Sequence, residues 1–256
     1  MRKSWVLFCV LNSFVHLPLW GNVLLPSPEN PGFFGSAGAT LLEGLPTSGG
    51  SPAKYAETLT LALLWGRPAV GVDLQNYSLL AEWGNSRYRV GSFFSVTAMD
   101  SIYRSTLWGL EVAKTCGMIT VGVGHSVNVE YVPGLSSWWT QQTKAGVGIE
   151  LPGNFSVGGL LLYPYEEGFQ YLGGLHWKAS QAYQLFFEMG PHLLHIGHFI
   201  DFGSFRLQNA YTYPSPSLGI GIVVSIDSFG VGFGFQRVNE ALDAQGASLI
   251  WRKKCK

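Results

Sequence analysis

Three groups of residues have the types that chemistry requires. His192, His195 and His198 recur at every third position. On a helix they would share one face and could hold zinc, but on a strand His192 and His198 point opposite to His195. Pro191 precedes them and the surrounding pattern is extended, so no metal site is expected. His125-Ser126 with Asn128 supplies a base, a nucleophile and an orienting amide. Adjacent strand residues face opposite sides, so this nucleophile and base could not meet. Asp73, Glu111, Glu130 and Glu150 could act as acid and base, yet carboxylates lining a polar interior need no catalytic role. The sequence carries no Gly-x-Ser-x-Gly elbow, phosphate loop, zinc-spaced cysteine pair or dinucleotide fingerprint. The expectation is therefore a protein that is not an enzyme and holds neither cofactor nor metal.

The elements that must position these residues are read from residues 218–236. Leu218, Ile220, Ile222, Val224 and Ile226 share one parity; Gly219, Gly221, Val223, Ser225 and Asp227 share the other. After a turn at Asp227-Ser228, Phe229, Val231, Phe233 and Phe235 oppose Gly230, Gly232, Gly234 and Gln236. A period of two is a strand signal, so this is a hairpin with one bulky apolar face and one small polar face. From Glu57 onward similar segments follow one another. Leu59, Leu61, Leu63 and Trp65 open the series, and Val70, Val72 and Leu74 oppose Asp73 and Gln75. The longest clean run sets Ile119, Val121, Val123, Val127, Val129 and Tyr131 against Thr120, Gly122, Gly124, Ser126, Asn128 and Glu130. The pattern continues to Ala247, Leu249 and Trp251. About 12–14 strands are expected, each near the roughly 9–11 residues that a tilted strand needs to cross a bilayer.

Composition agrees with a membrane setting. Only 12% of the 256 residues are charged, 33 are glycine and 14% are aromatic, with a mean hydropathy of +0.18. Soluble proteins average roughly 25% charged residues. A formal charge of zero offers nothing to nucleic acid. Residues 1–21 read as a signal peptide, with Arg2 and Lys3 before an apolar stretch that Asn12, His16 and Pro18 interrupt. Residues 22–56 are rich in Pro, Gly and Ser and show no period. Phe33, Phe34, Leu41 and Leu42 are poor residues to leave in water there, which suits a segment folded into a barrel interior. Residues 57–256 form the barrel. Cys116 and Cys255 are expected to be unpaired thiols.

A secreted β-sandwich and a transmembrane barrel both alternate, and two features favour the barrel. Trp65, Tyr131, Tyr163, Trp177, Tyr211 and Trp251 stand near segment ends on the apolar parity, where membrane girdles lie. The ionisable residues Asp73, Arg89, Glu111, Glu130, Lys144, Glu150, Lys178, Glu188, Arg206 and Asp227 are read on the opposite parity, as lumen polar residues. A charge facing lipid near the midplane costs about 2–4 kcal/mol, so a bilayer enforces that segregation. The signs are mixed, without the single-sign ring of a strongly ion-selective pore.

With Asn30-Pro31 near the start and Gly246-Ala247-Ser248-Leu249-Ile250-Trp251-Arg252 near the end, the layout resembles the FadL-like superfamily of outer-membrane barrels, including the PorV-like proteins of type IX secretion. It departs from them in Gly32 after Asn-Pro and in the Lys253-Lys254-Cys255-Lys256 terminus. The resemblance implies an all-β transmembrane barrel in a Gram-negative outer membrane, in contact with its lipid. Asn30, Pro31, Phe33, Phe34, Leu41 and Leu42 would form a hatch, and the lumen would bind or pass a small hydrophobic molecule. The alternatives are a scaffold or shuttle in protein export, a lipid-modifying barrel enzyme, and a secreted sandwich that uses Trp138-Trp139 as a stacking platform for a sugar.

Overall fold

The computed structural model describes residues 51–53, 58–67, 73–164, 169–191, 193–213, 217–238 and 242–254. The signal peptide and all six hatch residues lie outside the described residues. Fourteen strands run in chain order: β1 (Thr58–Arg67), β2 (Gln75–Gly84), β3 (Tyr88–Met99), β4 (Tyr103–Cys116), β5 (Ile119–Tyr131), β6 (Trp138–Leu151) and β7 (Phe155–Pro164). They continue as β8 (Gln170–Lys178), β9 (Tyr183–Gly190), β10 (Leu193–Asp201), β11 (Phe205–Tyr213), β12 (Ser217–Ile226), β13 (Phe229–Val238) and β14 (Leu242–Lys254). Each pairs antiparallel with its chain neighbours, and β1 closes on β14 from Thr58↔Lys254 to Arg67↔Gln245. A single closed sheet has no free edge, which overturns the sandwich alternative.

Alternation sets the two faces. In β5 the β-branched Ile119, Val121 and Val123 point outward, while Thr120, Gly122, Gly124 and Ser126 are buried inward. The hairpin read first from sequence is β12–β13, paired from Ser217↔Val238 to Ile226↔Phe229. Asp227 turns it with φ 50°, a left-handed conformation that Asp tolerates, so its side chain is exposed at a corner and does not line the interior. A second departure concerns Asp73. The sequence suggests a strand through Val70–Gln75, but β2 begins at Gln75, and Asp73 is exposed before it, accepting a hydrogen bond from Gln75 Nε2 at 3.1 Å.

The two ends of the barrel differ. At the end that carries Thr58 and Lys254, here the near end, the corners at 85–87, 117–118, 152–154, 179–182, 202–204 and 227–228 are two to four residues long. At the far end the described connection at 132–137 is six residues long. Exposed outward aromatics gather at both ends: Trp83, Tyr88, Trp177 and Phe229 at the near end, and Tyr77, Tyr131, Trp139, Tyr163, Tyr171 and Tyr211 at the far end.

Buried apolar side chains lie inside the barrel, and among the described residues two clusters of them stand out. Ala62, Leu64, Leu80 and Phe93 pack with Leu107 and Ile250 across β14 and β1–β4. Phe186, Phe199 and Ala210 form the other patch on β9–β11, its two rings 5.2 Å apart. In a ring of 14 strands β9 lies opposite β2, so the patches face each other across the interior.

Closure is directly testable. In a background with the native cysteines replaced by serine, Leu63→Cys with Leu249→Cys, partners across the β1–β14 seam, will form an intramolecular disulfide on mild oxidation. Leu63→Cys with Val231→Cys, one strand further round, will not; equal yields would contradict closure.

Candidate functional site

The interior is built by side chains that alternation turns inward and that neighbouring glycines leave room for. Arg89, the second residue of β3, lies at the near end and reaches three partners. Its Nε donates to Glu82 Oε2 at 2.6 Å, and its Nη1 donates to Glu111 Oε2 at 2.9 Å and to the Pro52 carbonyl at 3.0 Å. Lys144 Nζ from β6 donates to the other oxygen of Glu111 at 2.5 Å. All four ionised side chains are buried. Register explains how they meet: Glu82 pairs with Gly91, Gly91 with Glu111, Glu111 with Gly124 and Gly124 with Lys144. A Cβ on Gly124 would lie 2.7 Å from Lys144 Cε. Glycine there lets two long side chains lie flat across the wall. Two positive and two negative groups compensate each other, which an interior of low dielectric demands.

The same corner holds a stretch of main chain. Ser51, Pro52 and Ala53 are buried against β5 and β6. A Cβ on Gly122 would come within 2.7 Å of the Pro52 carbonyl carbon, and one on Gly146 would collide with Ser51 Oγ. Two inward glycines thus form a floor, and Arg89 clamps the segment from the side with a charge-assisted hydrogen bond.

Other inward polar groups form separate clusters. At the far end Ser105 Oγ donates to Asn128 Oδ1 at 2.7 Å and Asn128 Nδ2 donates to Glu130 Oε1 at 2.8 Å. Tyr103 and Trp138 also hydrogen-bond the Glu130 carboxylate. On the opposite wall His195 Nδ1 lies 3.5 Å from Glu188 Oε2, and His176 Nε2 lies 3.0 Å from Gln184 Oε1. Arg206 makes two bonds to Asp201, at 2.6 and 3.1 Å.

Of the ten ionisable positions read from sequence, the structure joins Arg89, Glu111 and Lys144 in one network. Glu130, Glu188 and Arg206 each stand in a local cluster. Glu150, on the inward parity but exposed, accepts a hydrogen bond from Ser156 at 3.0 Å, and Lys178 is exposed at the end of β8. Glu82 was not among the ten. Its signal was the run Asn76, Ser78, Leu80, Glu82 against Tyr77, Leu79, Ala81, Trp83, hidden when the strand is started too early. The remaining groups stay apart. His125 points outward, with Nδ1 3.0 Å from Thr143 Oγ1, while Ser126 is buried inward. His195 is buried inward, whereas His198 faces outward and packs on Tyr183; His192 lies outside the described residues.

Comparison with known proteins identifies no family for the chain. No protein-family model matches the chain, and no curated protein does. Among solved structures, the KdgM porin is 8% identical with a TM-score of 0.45, covering 75% of this chain and 98% of its own. CdiB from Acinetobacter baumannii is 8% identical with a TM-score of 0.48, covering 77% of this chain and 60% of its own. A triple mutant of the Rhodopseudomonas blastica porin is 7% identical with a TM-score of 0.45, covering 77% and 99%. These likenesses identify no residue of the interior.

Removing one member of the buried network leaves an uncompensated charge. Glu111→Ala will destabilise the barrel by about 3–5 kcal/mol in equilibrium urea unfolding; Arg104→Ala, an exposed position, will change it by less than about 1 kcal/mol.

Proposed function

We propose that the chain is an outer-membrane β-barrel whose lumen binds or passes a small apolar or amphipathic molecule, with the segment before β1 acting as a hatch. The observation that carries the membrane reading is the outward surface. The Lys and Arg residues on the outward parity, Arg67, Arg104, Lys114, Arg237 and Lys253, all stand within two residues of a strand end. The strand middles present mainly Leu, Ile, Val and Phe between the two aromatic girdles, and the polar His125 and Thr143 there are hydrogen-bonded to each other. That is the distribution a bilayer selects, with charge excluded from mid-depth and retained at the interface. Contact with outer-membrane lipid follows from it.

The two facing apolar patches support an apolar or amphipathic ligand. Leu64, Leu80 and Phe93 on one wall and Phe186 and Phe199 on the other are inward-facing hydrophobes, as are Leu160, Leu162 and Leu172 on β7 and β8. The compensated charges of Glu82, Arg89, Glu111 and Lys144 give a small ionic ligand little to prefer by sign. The hatch reading is supported by residues 51–53, which already run inside the wall on the glycine floor and under Arg89. In this reading the chain upstream of them continues in the lumen, and Asn30, Pro31, Phe33, Phe34, Leu41 and Leu42 meet the apolar patches. The FadL-like resemblance belongs to the same proposal. Nothing in it requires catalysis or a cofactor.

Deleting residues 30–45 tests the hatch. In planar bilayers the shortened protein will show a conductance several-fold above that of the full chain. Unchanged conductance, with the barrel still folded, would contradict a hatch in that segment.

A further inference from the structure

On the outward face at the near end, the β2–β3 and β4–β5 corners enclose a cleft of about 520 Å³ lined by Ser86, Arg87, Tyr88, Lys114, Thr115 and Cys116. The corners are tied together, since Thr115 N donates to the Arg87 carbonyl at 2.7 Å. Asn85 Oδ1 fixes the first corner by accepting from the backbone N–H groups of Arg87 and Tyr88, both at 2.8 Å. Arg87 and Lys114 are exposed, and among the described residues no carboxylate pairs with either. Lys114 Nζ lies 5.9 Å from the centre of the Tyr88 ring, which holds the ammonium at the cleft.

On the inward side of the wall, Arg89 and Lys144 are compensated by Glu82 and Glu111, and Arg206 by Asp201. Here two cations and the Ser86 hydroxyl line one cavity, and no carboxylate is among the lining residues. A phosphate suits that set, because guanidinium offers a planar fork and ammonium a compact charge. The cleft also leads onto an apolar track on the same face. From Tyr88↔Lys114 the pairs proceed toward the middle of the barrel as Val90↔Val112, Ser92↔Leu110 and Phe94↔Trp108. A free phosphate would leave that track unused, whereas a lipid's acyl chain lies along it.

We infer that this cleft is a binding site for the phosphate headgroup of an anionic glycerophospholipid, with its acyl chain on the Val90–Val112 track. The inference rests on the membrane reading above. The depth is right for it, because Trp83 and Tyr88 mark the near-end girdle, where headgroups meet the hydrocarbon.

The test is native mass spectrometry of the full chain in detergent, titrated separately with phosphatidylglycerol, phosphatidylcholine and inorganic phosphate. One phosphatidylglycerol will be retained in preference to phosphatidylcholine. The Arg87→Gln/Lys114→Gln double variant will retain it about thirtyfold less well, from the loss of two interfacial charges at about 1 kcal/mol each. Lys253→Gln, on the same end and face but away from the cleft, will bind like the unaltered chain. Heat-modifiable migration of each variant verifies folding. Equal retention of the two lipids, or an unchanged double variant, would overturn the site. Displacement by equimolar inorganic phosphate would overturn its assignment to a lipid. A chain that stays dispersed without detergent would instead contradict the membrane reading, which separates the two failures.

Discussion

The structure depends on closing one antiparallel sheet. A strand edge leaves backbone N–H and C=O groups unpaired, and in a hydrocarbon setting each costs several kcal/mol. The pairing of β1 with β14 along ten residue pairs removes both edges at once. Once the sheet is closed, the period of two leaves each strand residue only two destinations, inside or outside. Everything distinctive about this chain follows from how its residues are divided between them.

Inside, the division creates an electrostatic problem that the glycines help to solve. Charges that the alternation turns inward at mid-strand are buried against the wall, where a lone ion would be costly. Arg89 and Lys144 meet Glu82 and Glu111 because the intervening inward positions at 91 and 124 are glycine. The inward glycines at 122 and 146 do the same for a main chain, admitting residues 51–53 to the wall. Small residues here serve close approach, and Arg89 links the two arrangements by bonding Glu82, Glu111 and Pro52 together. A lumen segment and the wall's own charge balance are thereby coupled through one guanidinium.

Much of this was legible in sequence, because alternation is a local property. The β12–β13 hairpin, its turn at Asp227 and the opposite parities of His125 and Ser126 follow from counting by twos. The parity of Arg89, Glu111 and Lys144 is legible for the same reason, but their meeting is not. It depends on register between four strands, which corner lengths and closure set together and which leaves no mark at any one residue. Asp73 and Glu82 show how a boundary changes a reading. Val70, Val72 and Leu74 alternate well enough to suggest a strand, yet pairing with β1 and β3 starts later, so Asp73 falls in a connection and Glu82 enters the wall. The cleft at Arg87 and Lys114 was hidden too, because its parts come from two corners 27 positions apart in sequence and only the β3–β4 register joins them.

The most direct measurement is a nitroxide scan along β5, residue by residue from Ile119 to Tyr131, with the protein in lipid vesicles. Accessibility to oxygen, which concentrates in hydrocarbon, will peak at Val121, Val123, Val127 and Val129. Collision with a water-soluble relaxant will be low at those positions and relatively higher at the intervening ones. A period of two in the ratio of the two accessibilities, with oxygen favoured on the odd residues, is what a bilayer-spanning strand with a polar interior predicts. Equal or greater access of the water-soluble agent to the odd residues would contradict it, since the apolar face would then be meeting water and not lipid.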